Sequence, residues 1–401
     1  MESRNGVLKS AFMVTERIQE ALRAAGLDGW LFFDHHRRDP LAYRILHLPE
    51  ELQPTRRWYY LVPAQGEPRK LVHRIESGSL DTLPGTKQVY SSWTEQQQQL
   101  RALLAGSPRI AMQYSPHCVI PYVSMVDAGT LELVRAAGAE VVSSADLIQE
   151  FEARWTEEQF QMHIEAGKLV DRTWREAFDL IGERLRSTEP VTEYEVQQFI
   201  RHRFSVLGLT TDHGPIVAVN ANASDPHYTP SRDCTSHIQN GDVVLIDLWA
   251  KLTHPDAVFY DITWTGFCGD TIPERVQNVF EIVRDARKNA SQFVIEKVAA
   301  GEPLAGFQVD DVARGYIEKH GFGEQFFHRT GHSIGTETHG TGANMDNLES
   351  HDERRIIPGT CFSVEPGIYL PEFGIRSEVN VYVGTDCATV TGQEQEQMIR
   401  I

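Results

Sequence analysis

The chain has 401 residues, of which 41% are apolar and 23% charged, a composition typical of a folded globular protein and not of a disordered or fibrous one. The formal net charge of −18 argues against nucleic acid and against an anionic membrane as partners, because both repel an acidic surface. The length predicts two domains.

Cysteine usage and hydropathy indicate the compartment. The five cysteines are scattered, odd in number and without a Cys-x-x-Cys pair, which excludes a zinc ribbon and a disulfide framework. No apolar run reaches transmembrane length, and the N-terminus lacks the continuous apolar core of a signal peptide. We therefore expect a cytoplasmic protein with reduced thiols.

Residues 1–152 predict a small α/β domain. Ile18 and Leu22 share one face of a helix that ends near Gly26. Apolar, β-branched or aromatic runs predict short strands at 30–33, 58–62, 70–72, 109–112 and 140–142. A Gln-Gly turn between the second and third of these runs is typical of a hairpin. No residue of this region is predicted to be chemically active.

Longer helices are predicted from residue 153 onwards, so the second domain is expected over 153–401. Thr156 with Gln159, and Thr192 with Glu195, have the spacing of capping boxes at the start of helices. A third helix is predicted from about Val276 towards residue 301. Strand-like runs lie at 216–219, 243–246, 361–364 and 379–383.

Two aspartates lie in or next to such runs. Asp247 directly follows the apolar run 243–246, and Asp261 lies within the strand-like run 259–263. The short stretch between them suits adjacent antiparallel strands joined by a loop. Taken alone, either residue is more typical of a turn or a cap.

Histidines and glutamates of interest follow in the last third of the chain. His328, His332 and His339 lie in a segment rich in glycine, which lets the backbone approach a ligand closely. Glu365 and Glu378 each interrupt an apolar strand pattern, where a charge is costly unless it is paired, bound to metal or turned to water. Carboxylates brought together without a cation would raise one another's pKa, whereas divalent ions would stabilise them.

These residues carry a resemblance to a known family. From about residue 155 to 395 the chain resembles the pita-bread (M24-type) metallopeptidases, which include methionine aminopeptidase, Xaa-Pro aminopeptidase and Xaa-Pro dipeptidase (prolidase). The family pattern is Asp, Asp, His, Glu, Glu, matched in order by Asp247, Asp261, His332, Glu365 and Glu378. The resemblance implies an α/β fold. A creatinase/prolidase-like N-terminal domain would precede a catalytic domain with a curved, mainly antiparallel sheet covered by helices.

Further matches favour the proline-specific branch. His227 matches a substrate-facing histidine, His328 a histidine that methionine aminopeptidases generally lack, and Arg376 an arginine of the aminopeptidase P type. The resemblance then implies hydrolysis of an Xaa-Pro bond in dipeptides or short peptides, whose substrates carry proline at the second position. A homodimer is expected on the same basis.

The resemblance also implies a cofactor and roles for the residues. Two divalent metal ions are expected, Mn²⁺ first and Co²⁺ or Zn²⁺ as alternatives. Asp247 would hold one metal, Asp261 and Glu378 would bridge both, and His332 and Glu365 would complete the second. A hydroxide bridging the metals would attack the carbonyl, and Glu365 would transfer the proton. The substrate and the intermediate would be bound by His227, His328, His339 and Arg376.

The chain departs from the family pattern near the predicted metal centre. Trp264 stands where arginine is common, Gly340 where an acid is common, and Trp249 where a small residue is common. Tyr228, Trp249 and Trp264 are candidates for the wall of a proline pocket, although ordinary core packing explains each of them as well. Two other functions stay open: a non-catalytic peptide-binding module, and a lyase or other hydrolase of the same fold.

Overall fold

The structure is a computed structural model that describes the backbone of residues 2–401 and the side chains of residues 12–401. The chain forms two compact units, Met1–Glu152 (the N-terminal unit) and Ala153–Ile401 (the C-terminal unit). Within the described residues, no helix is both long enough and apolar enough to cross a membrane.

The elements of the N-terminal unit alternate along the chain. Its helices are α1 (Glu2–Ala25), α2 (Pro40–Ile45), α3 (Trp93–Leu104), α4 (Ala128–Ala136) and α5 (Ala145–Ile148). Its strands are β1 (Gly29–Asp34), β2 (Trp58–Pro63), β3 (Arg69–His73), β4 (Thr86–Tyr90), β5 (Arg109–Met112) and β6 (Glu140–Ser143).

The C-terminal unit has longer helices and more strands. Its helices are α6 (Glu157–Ser187), α7 (Glu193–Val206), α8 (Glu274–Ala299) and α9 (Gly306–Lys319). Its first strands are β7 (Leu209–Thr210), β8 (Ile216–Val219), β9 (Val243–Leu252), β10 (Tyr260–Phe267) and β11 (Ser333–Ile334). They are followed by β12 (Thr360–Val364), β13 (Gly367–Tyr369), β14 (Gly374–Arg376), β15 (Val379–Val383), β16 (Ala388–Thr391) and β17 (Ile399–Arg400).

The N-terminal unit is built on one mixed six-stranded sheet with the order β4-β3-β2-β1-β5-β6. Strands β2 and β3 pair antiparallel, which confirms the predicted hairpin. Successive side chains of β1 point to opposite faces of the sheet, so Trp30 and Phe32 lie in one hydrophobic core and Leu31 and Phe33 lie in the other. Strand β4 was not predicted, because it lies at the edge of the sheet and is largely polar.

The first half of the C-terminal unit packs α6 and α7 on one face of β8, β9 and β10. Both helices begin at the predicted capping boxes, with Thr156 and Thr192 as N-caps. Strands β9 and β10 pair antiparallel along their length, which confirms that prediction. The core between sheet and helices contains Val170, Phe178, Ile246 and Ile262.

The second half packs α8 and α9 against β12, β15 and the β13–β14 hairpin. Its core contains Phe280, Val283, Ile368 and Val381. Helix α8 confirms the third predicted helix, whereas α9 was not predicted. Helix α9 begins after Ala305, a residue without a side-chain acceptor, so only half of a capping box marks its start: the Gln308 side chain accepts from the Ala305 N–H at 2.9 Å.

Candidate metal centre

Asp247 and Asp261 lie on neighbouring strands of the first half. Asp247 is paired with Thr263, and Asp261 with Trp249, across the antiparallel β9–β10 ladder. Directly paired residues project from the same face of a sheet, so these four side chains share the face opposite α6 and α7. Asp247 lies in the middle of β9 and not at the end of a strand as predicted, because β9 continues to Leu252.

The other three predicted ligands come from the second half. Glu365 lies between β12 and β13, and Glu378 lies between β14 and β15. Both acids therefore occupy breaks between strands, which corrects the prediction that they lie within them. The backbone N–H of Glu378 donates to the carbonyl oxygen of Thr263 at 3.3 Å, and this bond ties the second half to β10.

His332 enters the centre through a close approach between two backbone segments. Its N–H donates to the Ser363 hydroxyl at 2.9 Å, and the next two residues pair with β12. A side chain on the preceding Gly331 would bring its Cβ to within 1.8 Å of the Ser363 carbonyl oxygen. Only glycine permits this packing, so the glycine next to His332 has a steric cause.

The five predicted ligands converge in this structure to different degrees. Asp261, His332 and Glu378 each offer an atom within 4.8 Å of the other two. Nε2 of His332 lies 3.6 Å from Oδ2 of Asp261 and 3.4 Å from Oε1 of Glu365. Asp247 joins this cluster through Arg376, whose Nη2 lies 2.5 Å from Oδ2 of Asp247 and whose Nε lies 4.0 Å from Oε2 of Glu365.

Burial and mutual repulsion shift the pKa values of the cluster. Burial, followed by the charges of Asp247 and Glu365, raises the pKa of Asp261 well above its usual range. Burial and the charge of Asp261 raise the pKa of Glu378 in the same way. Burial also lowers the pKa of His332 to about 3, so its imidazole is neutral near neutral pH and free to act as a ligand.

The hydrogen bonding of the carboxylates tests whether they fit a cation. Asp247 Oδ1, Asp261 Oδ1 and Glu378 Oε1 are buried and have no hydrogen-bond partner among the described residues. Buried polar atoms are nearly always paired, because an unpaired one loses its hydration without replacement. Two such residues, Asp261 and Glu378, lie beside the neutral imidazole of His332, and this donor set matches a divalent metal site. The residues present therefore fit the implied metal ions.

Arg376 and His328 meet at a tyrosine to which the sequence analysis assigned no role. The Tyr369 hydroxyl lies 2.7 Å from Nε2 of His328, and it lies 3.1 Å from Nη1 of Arg376. Burial, followed by the charge of Arg376, lowers the pKa of His328 to about 3. The structure thus places two of the predicted substrate-binding residues in one network that reaches Asp247.

The other two predicted substrate-binding histidines differ in their surroundings. The ring of His339 packs edge-on against His332 with 4.4 Å between the centroids. Repulsion from His332, together with burial, lowers the pKa of His339 to about 3. His227 is exposed, and its ring makes no hydrogen bond to any described residue. Of the four predicted substrate-binding residues, the structure therefore places all but His227 in contact with the carboxylate cluster or its network.

Three further polar residues hold the ligands in place and were not predicted. The Thr263 hydroxyl donates to Glu378 Oε2 at 2.8 Å, and the Ser363 hydroxyl donates to Glu365 Oε1 at 3.0 Å. Asn380 accepts from the N–H of Asp261 and donates to its carbonyl oxygen. Thr263 was detectable in principle, because residues two apart on a strand share a face.

The structure also explains two of the departures from the family pattern. Trp264 stacks on Trp174 of α6 with 3.8 Å between ring centroids, so it belongs to the helix-facing core and not to the wall of the metal centre. A Cβ on Gly340 would lie 2.9 Å from the Ser333 hydroxyl, which leaves no room for an acidic side chain. Trp249 faces the metal centre.

Comparison with known proteins identifies the family. Residues 161–385, more than half of the chain, match the profile of metallopeptidase family M24. The chain belongs to this family. The predicted resemblance is thereby confirmed.

Among curated relatives, this M24 chain is 30% identical over 264 residues to a putative dipeptidase of Bacillus subtilis, with 65% of this chain and 66% of the relative covered. It is 28% identical over 240 residues to an Xaa-Pro dipeptidase of Pyrococcus furiosus, covering 59% and 62%. An Xaa-Pro dipeptidase of Lactobacillus helveticus is 30% identical over 241 residues, covering 59% and 57%. The chain thus spans somewhat less than two thirds of the length of these relatives.

Solved structures show the same fold along nearly the whole chain. The dipeptidase PepE of Mycobacterium ulcerans is similar with a TM-score of 0.70 and 23% identity, and 98% of each chain is covered. A prolidase of Thermococcus sibiricus is similar with a TM-score of 0.62 and 22% identity, covering 96% of this chain and 98% of the other. The predicted fold class, an N-terminal α/β domain followed by a pita-bread domain, is confirmed.

Proposed function

We propose that this M24 protein is a dinuclear-metal peptidase that hydrolyses the Xaa-Pro bond of dipeptides or short peptides. The observation that carries the proposal is that Asp261 and Glu378 lie beside the neutral imidazole of His332, each with a buried carboxylate oxygen that has no hydrogen-bond partner among the described residues. The names of two relatives, both Xaa-Pro dipeptidases, support the substrate class.

The ligand assignment follows the family pattern residue by residue. The residues that would hold the two divalent ions are Asp247, Asp261, His332, Glu365 and Glu378. When bound, the two ions would activate a water as nucleophile and polarise the scissile carbonyl. The proposed ion is Mn²⁺, with Co²⁺ or Zn²⁺ as alternatives, because most of the donor atoms are oxygens.

The chain's own residues supply proton transfer. Glu365 is the least enclosed of the ligand acids, with its side chain 16% exposed against 6% for Asp261. Its Oε1 already accepts a hydrogen bond from Ser363, which fixes the orientation of the carboxylate. We assign to Glu365 the removal of a proton from the attacking water and its delivery to the proline nitrogen, a leaving group that must be protonated.

Other residues would orient the substrate. His328 and Arg376 are held by Tyr369 and would bind the proline side of the peptide, whose carboxylate or next peptide group is an acceptor. His339, packed on His332, would hydrogen-bond the peptide near the scissile carbonyl. The role of His227 stays a prediction from the resemblance.

A substrate panel tests the proposal. The purified chain, dialysed and then loaded separately with Mn²⁺, Co²⁺ or Zn²⁺, would be assayed on Xaa-Pro dipeptides, Xaa-Pro-Xaa tripeptides and a Met-Ala peptide. We expect hydrolysis only of peptides with proline at the second position, either the dipeptides, the tripeptides or both. Cleavage of Met-Ala without cleavage before proline would contradict the substrate class, and bound metal without any hydrolysis would support the non-catalytic binding module. Assembly as a homodimer and a cytoplasmic location remain predictions, and sedimentation analysis would test the first.

A further inference from the structure

The wall of the metal centre beside Asp261 carries a carboxylate that the proposed chemistry does not use. Oδ1 of Asp212 accepts a hydrogen bond of 2.6 Å from the indole N–H of Trp249, and Oδ2 accepts one of 3.2 Å from the hydroxyl of Thr338. Trp249 lies directly opposite Asp261 across the β9–β10 ladder, and Thr338 immediately precedes His339. Asp212 is therefore fixed on two sides by residues that adjoin the metal centre.

This carboxylate is open to solvent, unlike the predicted ligands. The side chain of Asp212 is 43% exposed, against 6% for Asp261 and 11% for Asp247. A peptide that enters the centre from solvent can therefore reach it. Its hydrogen bonds from Trp249 and Thr338, with a third of 2.9 Å from the N–H of His213 to Oδ1, orient the carboxylate before any ligand arrives, which lowers the entropy cost of binding.

Within the described side chains, Asp212 has little counter-charge. The nearest cationic candidate is the ring of His213, whose Nδ1 lies 3.5 Å away and whose side chain is 81% exposed. The charge of Lys251 acts on Asp212 through space, but its ammonium group makes no ion pair with this carboxylate; it donates to the Thr336 carbonyl oxygen at 2.6 Å and lies over the Phe259 ring. The negative charge of Asp212 thus adds to that of the four ligand acids.

A purely structural role does not require this charge. An asparagine could accept the Trp249 hydrogen bond through its amide oxygen and donate to the Thr338 hydroxyl through its amide nitrogen, without repelling the neighbouring carboxylates. A carboxylate at this place is favourable when a cation occupies the space in front of it. The flat face of Trp249, half-buried beside Asp212, also suits an alkylammonium or guanidinium group, through packing on its stem and attraction to the ring.

We propose that Asp212 binds a cationic nitrogen of the substrate residue that precedes the scissile bond, either its α-ammonium group or an ammonium or guanidinium side chain. The inference rests on the proposed function, whose substrate class it narrows. Trp249 then has a specific task in this chain: its indole N–H positions the carboxylate.

The test compares lysyl-proline with norleucyl-proline, which has a side chain of similar length but without the ammonium group. Values of kcat/KM would be measured on the metal-loaded full chain, wild type and Asp212→Asn, at one fixed pH. A side-chain contact predicts a wild-type preference for the lysyl substrate of about tenfold that the substitution abolishes. An α-ammonium contact predicts that both substrates lose about tenfold together. Unchanged constants for both substrates would overturn the proposal.

A second measurement does not depend on turnover. Calorimetry would give the dissociation constants of L-lysine and L-norleucine for the wild type, for Asp212→Asn and for Asp179→Asn, an exposed carboxylate on α6 that serves as the matched control. Weaker binding of lysine alone, or of both amino acids, in Asp212→Asn but not in the control would support the proposed contact between Asp212 and a cationic nitrogen. Equal binding by all three proteins would overturn it. Absence of hydrolysis of any Xaa-Pro dipeptide by the wild type would refute the proposed function, and this measurement would still decide the role of Asp212.

Discussion

The basic cavity of the N-terminal unit and the carboxylate cluster of the C-terminal unit both concentrate charge of one sign, but they satisfy their carboxylates differently. The cavity encloses about 700 Å³, and the basic residues that line it are His35, His36, Arg38, Arg56, Arg57 and His73. Two carboxylates hold its loops. Asp34 accepts from three backbone N–H groups and the Tyr43 hydroxyl, and Glu76 accepts from the N–H groups of Thr55 and Arg56.

The two regions differ in how many carboxylate oxygens accept hydrogen bonds, and this difference indicates which carboxylates need a cation. The hydrogen-bonding capacity of the Asp34 and Glu76 carboxylates is satisfied within the protein, because backbone N–H groups donate to their oxygens. Asp39, also in the N-terminal unit, has one buried oxygen without a hydrogen-bond partner in the described part of the chain. Burial raises the pKa of Asp39 to about 7, so protonation relieves this oxygen. In the C-terminal unit several such oxygens converge, and divalent ions stabilise that arrangement better than separate protons.

Removal of the imidazole from the cluster should have the largest effect. The variant His332→Ala is expected to lose at least one metal ion per chain, and with it the hydrolytic activity, because it removes a neutral donor next to Asp261 and Glu365. Elemental analysis after dialysis against Mn²⁺ measures this loss. Asp34→Asn is the matched control and should keep the wild-type metal content. Wild-type metal content in His332→Ala would contradict the role of His332 as a ligand, and with it the proposed difference between the two carboxylate regions.

A change at Glu365 should separate chemistry from metal binding. Glu365→Gln keeps an oxygen donor but cannot accept a proton, so we expect turnover to fall by about 10²- to 10⁴-fold while metal stays bound. Steady-state kinetics together with metal analysis measures both quantities. Wild-type turnover in this variant would remove Glu365 from its proposed role.

The two units should respond to pH in opposite directions. His163 is buried in the C-terminal unit between the Phe259 carbonyl oxygen and the Thr391 hydroxyl, and burial lowers its pKa from 6.5 to about 4. The unfolded chain binds this proton more readily, so as the pH falls from about 6.5 to 4 the C-terminal unit loses about 3 kcal/mol of unfolding free energy. Asp39, whose pKa is raised, destabilises the N-terminal unit instead as the pH rises from about 4 to 7.

Denaturant unfolding at several pH values, in wild type, His163→Gln and Asp39→Asn, tests this contrast. Each substitution should flatten the pH dependence of its own unit and leave that of the other unchanged. If one substitution flattened the pH dependence of the unfolding free energy of both units, the effects of His163 and Asp39 would not belong to separate units.

The smallest effect is expected from the anchor of the basic cavity. Asp34→Asn loses the charge-assisted part of several hydrogen bonds, so the N-terminal unit should lose about 1–3 kcal/mol of unfolding free energy. Urea denaturation measures this change. Tyr43→Phe removes one donor only and should cost less, whereas a larger loss in Tyr43→Phe would show that the hydroxyl and not the backbone anchors the loop.

Local signals were sufficient for much of the fold. The capping boxes at Thr156 and Thr192 were readable because an N-cap and its partner are three residues apart. The pairing of β9 with β10 followed from two apolar runs close together in sequence. Helix α9 and strand β4 were not predicted, because the first has only half of a capping box and the second is polar and lies at a sheet edge.

The candidate site divides in the same way. The five ligand types were readable because each lies in a short motif, and strand alternation alone could have shown that Trp249 shares a face with Asp247 while Trp264 does not share one with Asp261. The parts played by Tyr369, Ser363 and Asn380 could not be read, because each contacts a predicted ligand or substrate residue that is distant in sequence.

The chemical types and order of the ligands, the capped helices and the family resemblance could be read from the amino-acid sequence, because these depend on neighbours along the chain. The folded structure was needed to show which carboxylate oxygens lack a donor among the described residues, that Arg376 contacts Asp247, and that Trp249 orients Asp212. Those facts depend on pairings between segments far apart in sequence. Their geometry is fixed only when the strands and loops pack together.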